Sequence, residues 1–304
     1  MVPVVFHPGY VVPLPEGHRF PMPKFAMIHE ILLSEGITSE DASIVPESAP
    51  REVVELVHTR EYVSALLEGT LSPGEERRIG LPWSEALIGR TFRAVGGTIE
   101  TARLALRHGL ACNSAGGTHH AHPDFGSGFC LLNDLAVAAR CLLEEGSVSR
   151  ILLVDLDVHQ GDGTARALEA YPDLVTFSMH CESNFPFRKQ RSDYDLPLSD
   201  GLGDQEYLDL LAETLPELTR RHKPDLILYD AGVDVFAGDR LGRLDLTLEG
   251  IRRRDRYVID HALASAIPIA TVIGGGYDRD LWALSDRHAI VHRAAATAAD
   301  SRSP

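Results

Sequence analysis

The pentapeptide Asp155-Leu156-Asp157-Val158-His159 carries three ionisable side chains at alternating positions. Alternate residues of an extended backbone point the same way, so Asp155, Asp157 and His159 can share one side. Asp157 and His159 would then offer one oxygen and one nitrogen to a divalent metal, with Asp234 as a third ligand from farther along the chain. Three protein ligands and an open position describe a catalytic metal site rather than a closed structural one. The plain alternative for the same residues is a pair of strand-end carboxylates capping a turn, with His159 in solvent.

A second lead is His119-His120, behind Gly116-Gly117 and close before His122. Imidazole titrates near neutrality and suits proton transfer. Adjacent histidines diverge on a regular element, but a tight glycine loop can face both into one cavity. Asp155 and Asp162 are the carboxylates available to fix their tautomers. A third lead is Gly274-Gly275-Gly276-Tyr277. Glycines let a backbone approach a ligand closely, and the Tyr277 phenol can donate a hydrogen bond to a developing oxyanion. No Lys-Ser/Thr follows and the G-x-G-x-x-G spacing is missing, which argues against a phosphate loop and a dinucleotide site. Phe129, next to Gly128, and one of Phe185 or Phe187 would wall a narrow apolar slot.

These segments need elements to hold them. Ile88, Phe92, Val95, Ile99, Ala102 and Leu106 step by 4, 3, 4, 3 and 4, which predicts one apolar stripe on a helix over 84–108. Further helices are predicted over 50–68, 133–145 with Asn133 or Asp134 as cap, 204–221, 247–265 and 279–296. Short apolar runs predict strands at Leu110–Asn113, Ile151–Asp155, Leu174–Met179, Leu226–Tyr229 and Ile267–Ile273. The stretch 71–82 reads as a charged surface loop. Strands separated by helices predict an α/β fold with a mainly parallel sheet covered on both faces. Ligands of such sheets bind outside the carboxyl ends of the strands. Four of the five runs lead there into the histidines, the aspartates or the glycines named above.

Composition narrows the function classes. Hydrophobic residues make up 44% and charged residues 24%, as in ordinary globular domains. The balance 29 − 44 gives a net charge of −15. That argues against a nucleic-acid footprint, which needs a basic patch. It suits small neutral or cationic substrates. Cys112, Cys130, Cys141 and Cys181 form no C-x-x-C pair, pointing to a reduced, cytoplasmic setting. No basic and apolar leader is visible, and no apolar run approaches the roughly 18 residues of a spanning helix. Gly96-Gly97 inside the long helix allows close packing, within the chain or between chains.

Together the motifs resemble the zinc-dependent deacetylases of the histone deacetylase family, including bacterial members and the related acetylpolyamine amidohydrolases. The resemblance begins around His7-Pro8-Gly9 and His18-Arg19-Phe20-Pro21 and passes through Val57-His58-Thr59-Arg60-Glu61-Tyr62. Its core is Gly-Gly-Thr-His-His-Ala at 116–121, Gly-Phe-Cys-Leu-Leu-Asn-Asp at 128–134, Asp-Leu-Asp-Val-His-Gln-Gly-Asp-Gly-Thr at 155–164, Gly-Val-Asp at 232–234 and Gly-Gly-Gly-Tyr at 274–277. The segment starting Glu182-Ser183-Asn184-Phe185 looks most like the small class IV-type members.

The resemblance implies a single-domain, open arginase/deacetylase-like α/β fold over 1–298, with a flexible tail at 299–304. It implies that Asp157, His159 and Asp234 bind Zn2+, with Fe2+ or Co2+ as alternatives. His119 and His120 would move protons, oriented by Asp155 and Asp162, and Tyr277 would stabilise the oxyanion. Gly128, Phe129, Phe185 and Phe187 would line the substrate channel. A structural K+ is implied near the backbone of Asp155, Asp157, His159, Ser178 and Met179. The expected reaction is removal of acetyl or longer acyl groups from lysine-type amines of proteins or peptides. Acetylpolyamines or other small amides are the alternative substrates, and a catalytically inactive binding module is the competing class. A two-manganese, arginase-like site would need carboxylates where Gly161 and Gly232 stand, so one metal is expected. No direct nucleic-acid or membrane partner is expected.

Overall fold

The computed structural model describes residues 2–301. Its strands are β1 (Val4–Val5), β2 (Leu110–Asn113), β3 (Ile151–Asp155), β4 (Leu174–Cys181), β5 (Tyr194–Leu198), β6 (Leu226–Asp230) and β7 (Ile269–Val272). They form a 7-stranded sheet in the order β1-β2-β7-β6-β3-β4-β5, and every pairing is parallel. Strands β2, β3, β4, β6 and β7 are buried at every position. Since successive side chains face opposite sides, both faces of the sheet are covered.

The covering helices are α1 (Lys24–Ser34), α2 (Arg51–Val54), α3 (Arg60–Glu68), α4 (Pro73–Ile79), α5 (Glu85–His108), α6 (Asp134–Glu144), α7 (Asp162–Leu168), α8 (Asp204–His222), α9 (Leu248–Ala264) and α10 (Leu281–Asp300). The stripe that predicted α5 is its packed side, where Ile88, Phe92, Val95, Ile99 and Ala102 are buried. Each large side chain of this kind contributes about 1.5–3 kcal/mol on burial. Ser84 caps α5 at its start, and Gly109, in the left-handed region, ends it. Gly96 and Gly97 serve packing inside the chain. A Cβ at Gly96 would lie 1.9 Å from the Glu47 carbonyl oxygen, and one at Gly97 would lie 1.9 Å from the Tyr10 hydroxyl.

Several local expectations change. The single helix over 50–68 is two helices, α2 and α3: after Val54 the chain tightens into i, i+3 turns (Leu56 N to Val53 O, Val57 N to Val54 O), and Thr59 then caps α3 at Tyr62 N. The expected loop at 71–82 contains α4, whose Ser72 and Glu75 form a reciprocal capping box. Strands β1 and β5 and helices α1 and α7 add to the elements expected from sequence. Ala299 and Asp300, expected in a tail, continue α10; 302–304 lie outside the described residues.

Strand register sets up the site. Asp155, the last residue of β3, lies between Ser178 of β4 and Asp230 of β6. The chain therefore emerges from the middle of the sheet with carboxylates already side by side, and the loops after β2, β6 and β7 close over the same edge.

Candidate active site

The loop after β2 turns on Gly116 and Gly117, at φ 89 and 83, values that favour glycine. Asp134, at the first turn of α6, accepts hydrogen bonds from Thr118 N (2.7 Å), Thr118 Oγ1 (2.5 Å) and Gly117 N (3.2 Å). Asn133 rather than Asp134 is the α6 cap, accepting from Ala136 N. Its amide nitrogen donates to the carbonyls of His119 (3.3 Å) and Ala121 (3.2 Å). The histidine loop is thus held by the start of α6.

Both histidines face one cavity. His119 Nδ1 donates to Asp155 Oδ2 at 2.8 Å, and His120 Nδ1 donates to Asp162 Oδ1 at 2.6 Å. Their Nε2 atoms meet at 3.2 Å. The second oxygen of Asp162 accepts from His122 Nε2 at 3.0 Å, which gives the third histidine of the cluster a place. The two rings are electrically unlike. Burial disfavours charge on His119, but Asp155, Asp157 and Asp230 override it and raise its pKa well above the usual value. Burial and the neighbouring His119 cation lower His120 to about 4, despite Asp162.

Asp157, His159 and Asp234 come together as the sequence suggested. All three are buried, and one donor atom from each lies within 4.8 Å of the others. His159 Nδ1 lies 3.0 Å from Asp157 Oδ1 and 3.1 Å from Asp234 Oδ2. The remaining carboxylate oxygens are turned by backbone donors: Gly275 N to Asp157 Oδ2 (2.7 Å) and Val158 N to Asp234 Oδ1 (2.9 Å). Against burial, the two carboxylates raise His159 to about 10. Burial and the Asp157 charge raise Asp234 to about 7. Two buried carboxylates thus crowd one ring, with Lys24 and His119 as further positive neighbours. One nitrogen and two oxygens converging in this way fit a divalent cation.

Side chains at Gly161 and Gly232 would displace the carboxylates of the site. A Cβ at Gly161 would lie 2.3 Å from Asp155 Oδ2, and one at Gly232 would lie 2.4 Å from Asp157 Oδ2. A second group of possible ligands, His119, Asp155 and Asp230, also lies within 4.8 Å. There, His119 Nδ1 is engaged by Asp155.

Two connected spaces meet over these groups. The outer funnel has a volume of about 320 Å³ and the inner cavity about 40 Å³. Both are lined by His120, Gly128, Phe129, His159 and Tyr277, which form the neck between them. Phe129 takes a left-handed backbone, φ 67, held by its N–H to Ile79 O at 2.7 Å. Its ring lies 5.9 Å from that of Tyr277. Tyr277 N donates to Asp239 at 2.6 Å. Burial, then Asp234 and Asp157, push the Tyr277 phenol well above its usual pKa, so it stays a donor.

Of the two phenylalanines offered for the opposite wall, Phe185 packs edge-on to His120 at 4.8 Å. Phe187 is 88% exposed, so it belongs to the outer rim and not to the slot. The residues named for a second cation are neighbours: Asp155 pairs with Ser178 across β3 and β4, and Met179 follows. Gln160 donates to Gln190 O and Asp195 Oδ1 at 2.8 and 2.7 Å. It braces the 190–195 segment. Cys130 is buried and its thiol is pushed up to about 12, the behaviour of a small packed hydrophobe.

Residues 18–292 match the histone deacetylase domain family. The chain is a member of the histone deacetylase family. Among histone deacetylase relatives, it is 31% identical to histone deacetylase 2 of Arabidopsis thaliana over 269 residues, covering 86% of this chain and 70% of the relative. It is 30% identical to the acetoin utilization protein AcuC of Staphylococcus aureus over 297 residues, covering 90% and 75%. An uncharacterized protein of Picosynechococcus sp. is 56% identical over 293 residues, covering 96% of this chain and 98% of that one. The crystal structure of the HDA15 HD domain superposes with a TM-score of 0.80 at 21% identity, over 97% of this chain and 88% of that one. The fold is that of the histone deacetylases, and the family is one of deacetylase hydrolases.

Sequence reasoning did not assign Asp230. It is fully buried at the end of β6, both its oxygens lack a hydrogen-bond partner, and Oδ2 lies 3.9 Å from His119 Nδ1. Burial and Asp155 raise its pKa well above the carboxylate range. Asp239, which accepts from Tyr277 N, likewise went unmarked, and Asp134 was read as a cap or motif residue rather than as the anchor of the Thr118 loop.

Proposed function

We propose that this protein is a metal-dependent amide hydrolase that removes acetyl groups from lysine-type amines. The observation that carries this reading is the neck. There a histidine pair with two separate carboxylates faces the Asp157, His159 and Asp234 set, with Tyr277 on the other side.

Asp157, His159 and Asp234 would hold one divalent ion, zinc by family resemblance. When bound, the ion supplies a Lewis acid that polarises an amide carbonyl and lowers the pKa of water. The protein's own groups supply the rest. Neutral His120 accepts the proton of the attacking water and later passes it to the departing amine. His119, oriented by Asp155 and with its Nε2 3.2 Å from that of His120, is the partner ring in this proton transfer. Tyr277 donates its phenolic hydrogen to the developing oxyanion. Phe129 and Phe185 hold an extended methylene chain and exclude water. A structural potassium ion at the Asp155, Asp157, His159, Ser178 and Met179 backbone belongs to the same reading.

The inner cavity argues for acetyl over long acyl groups. Its 40 Å³ accommodates roughly three water-sized groups at about 10–15 Å³ each. Lys24 and Arg90, both buried, line it, and neither welcomes an alkyl tail. An inactive binding module is disfavoured because each group the reaction needs is present. The four free, buried cysteines support a reducing, cytoplasmic setting. Among the described residues, no helix is long and apolar enough to cross a membrane.

The test is turnover of a fluorogenic acetyl-lysine substrate by metal-loaded protein, beside a long-chain acyl-lysine. Hydrolysis of the acetyl substrate, abolished by chelation and restored by zinc or cobalt, is expected. Absence of turnover with bound metal would overturn the reading.

A further inference from the structure

The net charge of −15 suggests a protein that favours cationic substrates. The mouth of the site has the opposite sign. Arg19, Arg78 and Arg243 line the outer funnel, and no carboxylate lines it among the described residues. They come from three separate segments: the N-terminal loop, the end of α4, and the loop before α9.

The arginines are built into the rim. His18 Nε2 donates to Gly80 O at 3.1 Å, tying the N-terminal loop to the end of α4. Gly128 N donates to Arg78 O at 3.3 Å, tying α4 to the slot wall. The Arg19 guanidinium lies 4.9 Å from the Phe129 ring centre, and that of Arg78 lies 4.6 Å from the Phe125 ring centre. Such stacking holds the planar group while leaving its N–H edge free. Arg243 rests on Ser183 Oγ at 3.2 Å and Asp200 at 3.5 Å. Arg19 and Arg78 form no ion pair among the described residues. Glu75, one turn back on α4, is committed to its box with Ser72.

Range decides which charge matters. At physiological ionic strength, charges farther than about 8 Å are largely screened. A substrate seated in the funnel therefore responds to the arginines within a few ångströms and little to the dispersed acidic surface. Guanidinium forks match carboxylates in pairs of parallel hydrogen bonds. They repel ammonium groups, which selects against polycations. We infer that the rim formed by Arg19, Arg78 and Arg243 selects acylated amines that carry a carboxylate near the scissile amide, and selects against acetylated polyamines and lysine-rich peptides. This inference rests on the amide-hydrolase reading above. The carboxylate can be an acidic residue flanking acetyl-lysine in a peptide, or the α-carboxylate of free Nε-acetyl-lysine.

The experiment compares kcat and KM of metal-loaded protein, from physiological ionic strength upward, on acetyl-lysine peptides flanked by Asp and Glu, by Ala and Ser, or by Lys and Arg. A monoacetylated polyamine, free Nε-acetyl-lysine and its carboxamide complete the panel. Each exposed pair is worth a factor of a few, so kcat/KM should favour the acidic peptide over the neutral one by about tenfold. The difference should lie mainly in KM and shrink as salt is added. The double variant Arg19→Gln/Arg78→Gln should bring the acidic-to-neutral ratio close to one, and Arg19→Lys/Arg78→Lys should restore part of it. Preference for free Nε-acetyl-lysine over its carboxamide would name the substrate's own carboxylate as the partner; preference confined to acidic peptides would name the flanks. Turnover of the neutral peptide with no acidic preference, or a preference for the polyamine, overturns the rim inference and leaves the hydrolase reading standing. No turnover of any substrate overturns both.

Discussion

His119 and His120 turn their Nε2 atoms toward each other at 3.2 Å and their Nδ1 atoms toward different carboxylates, Asp155 and Asp162. Their surroundings pull the two rings apart: the carboxylates around His119 raise its pKa, and burial with His119 nearby lowers that of His120. His120→Ala should therefore lower kcat by about 10²–10⁴-fold, the range of a lost general base, with the thermal midpoint little changed. Retained turnover in a folded variant would remove His120 from that role.

Tyr277 lines both the funnel and the inner cavity and keeps its proton. A donor that acts on a developing oxyanion contributes to kcat more than to KM. Tyr277→Phe should cut kcat by about 10²–10³-fold and leave KM within a small factor. Steady-state kinetics on acetyl-lysine substrate decides it; a change confined to KM would make Tyr277 a binding residue only.

Gly275 offers its N–H to Asp157 Oδ2 at 2.7 Å, and a Cβ there would lie 2.2 Å from Asp234 Oδ2 and 2.6 Å from Asp157 Oδ2. Elemental analysis of the purified protein should give close to one divalent ion per chain. Gly275→Ala should lower that content, because both carboxylates must turn away from the shared point. Circular dichroism should remain native. Two tightly bound manganese ions in the parent protein would contradict the single-ion reading.

The sequence was most legible where chemistry is dense. The alternation in Asp155-Leu156-Asp157-Val158-His159 and the glycines around His119 and Tyr277 led to groups that meet in space. Strands with continuous apolar runs were equally plain, because both faces are buried. The two-residue β1 and the edge strand β5 were not, since β5 alternates half-buried and exposed residues over only Tyr194–Leu198 and buries Leu198 alone. Helix α4 hid inside a charged stretch, although its Ser72-x-x-Glu75 box was readable. Asp230 lay beyond local reading altogether. Its environment is made by pairing with Asp155 from another strand, and no spacing along the chain reports that. The sign of the funnel mouth was likewise invisible in the net charge, because it depends on which arginines two loops and the end of α4 bring together.

His58 is buried, and its Nε2 accepts the Asn133 backbone N–H at 2.9 Å; Asn133 in turn holds the carbonyls of His119 and Ala121. Burial lowers the His58 pKa to about 4, against about 6.5 for an unfolded chain. Above pH 6.5 the ring is neutral in both states and its contribution is fully present. Between 6.5 and 4 the unfolded chain takes up a proton that the folded one refuses, so stability falls as pH falls. The loss is about 1.4 kcal/mol per pH unit for one such group, reaching about 3 kcal/mol near pH 4. His120 and His292 carry the same shift and add to the slope. His58→Gln keeps an acceptor for Asn133 but cannot titrate. Denaturant unfolding at several pH values from 7 to 4.5 should show the variant less stable than the parent at pH 7, with a shallower loss toward acid by about one histidine's share. A variant with the parent's full slope would mean that His58 is not held neutral by the fold.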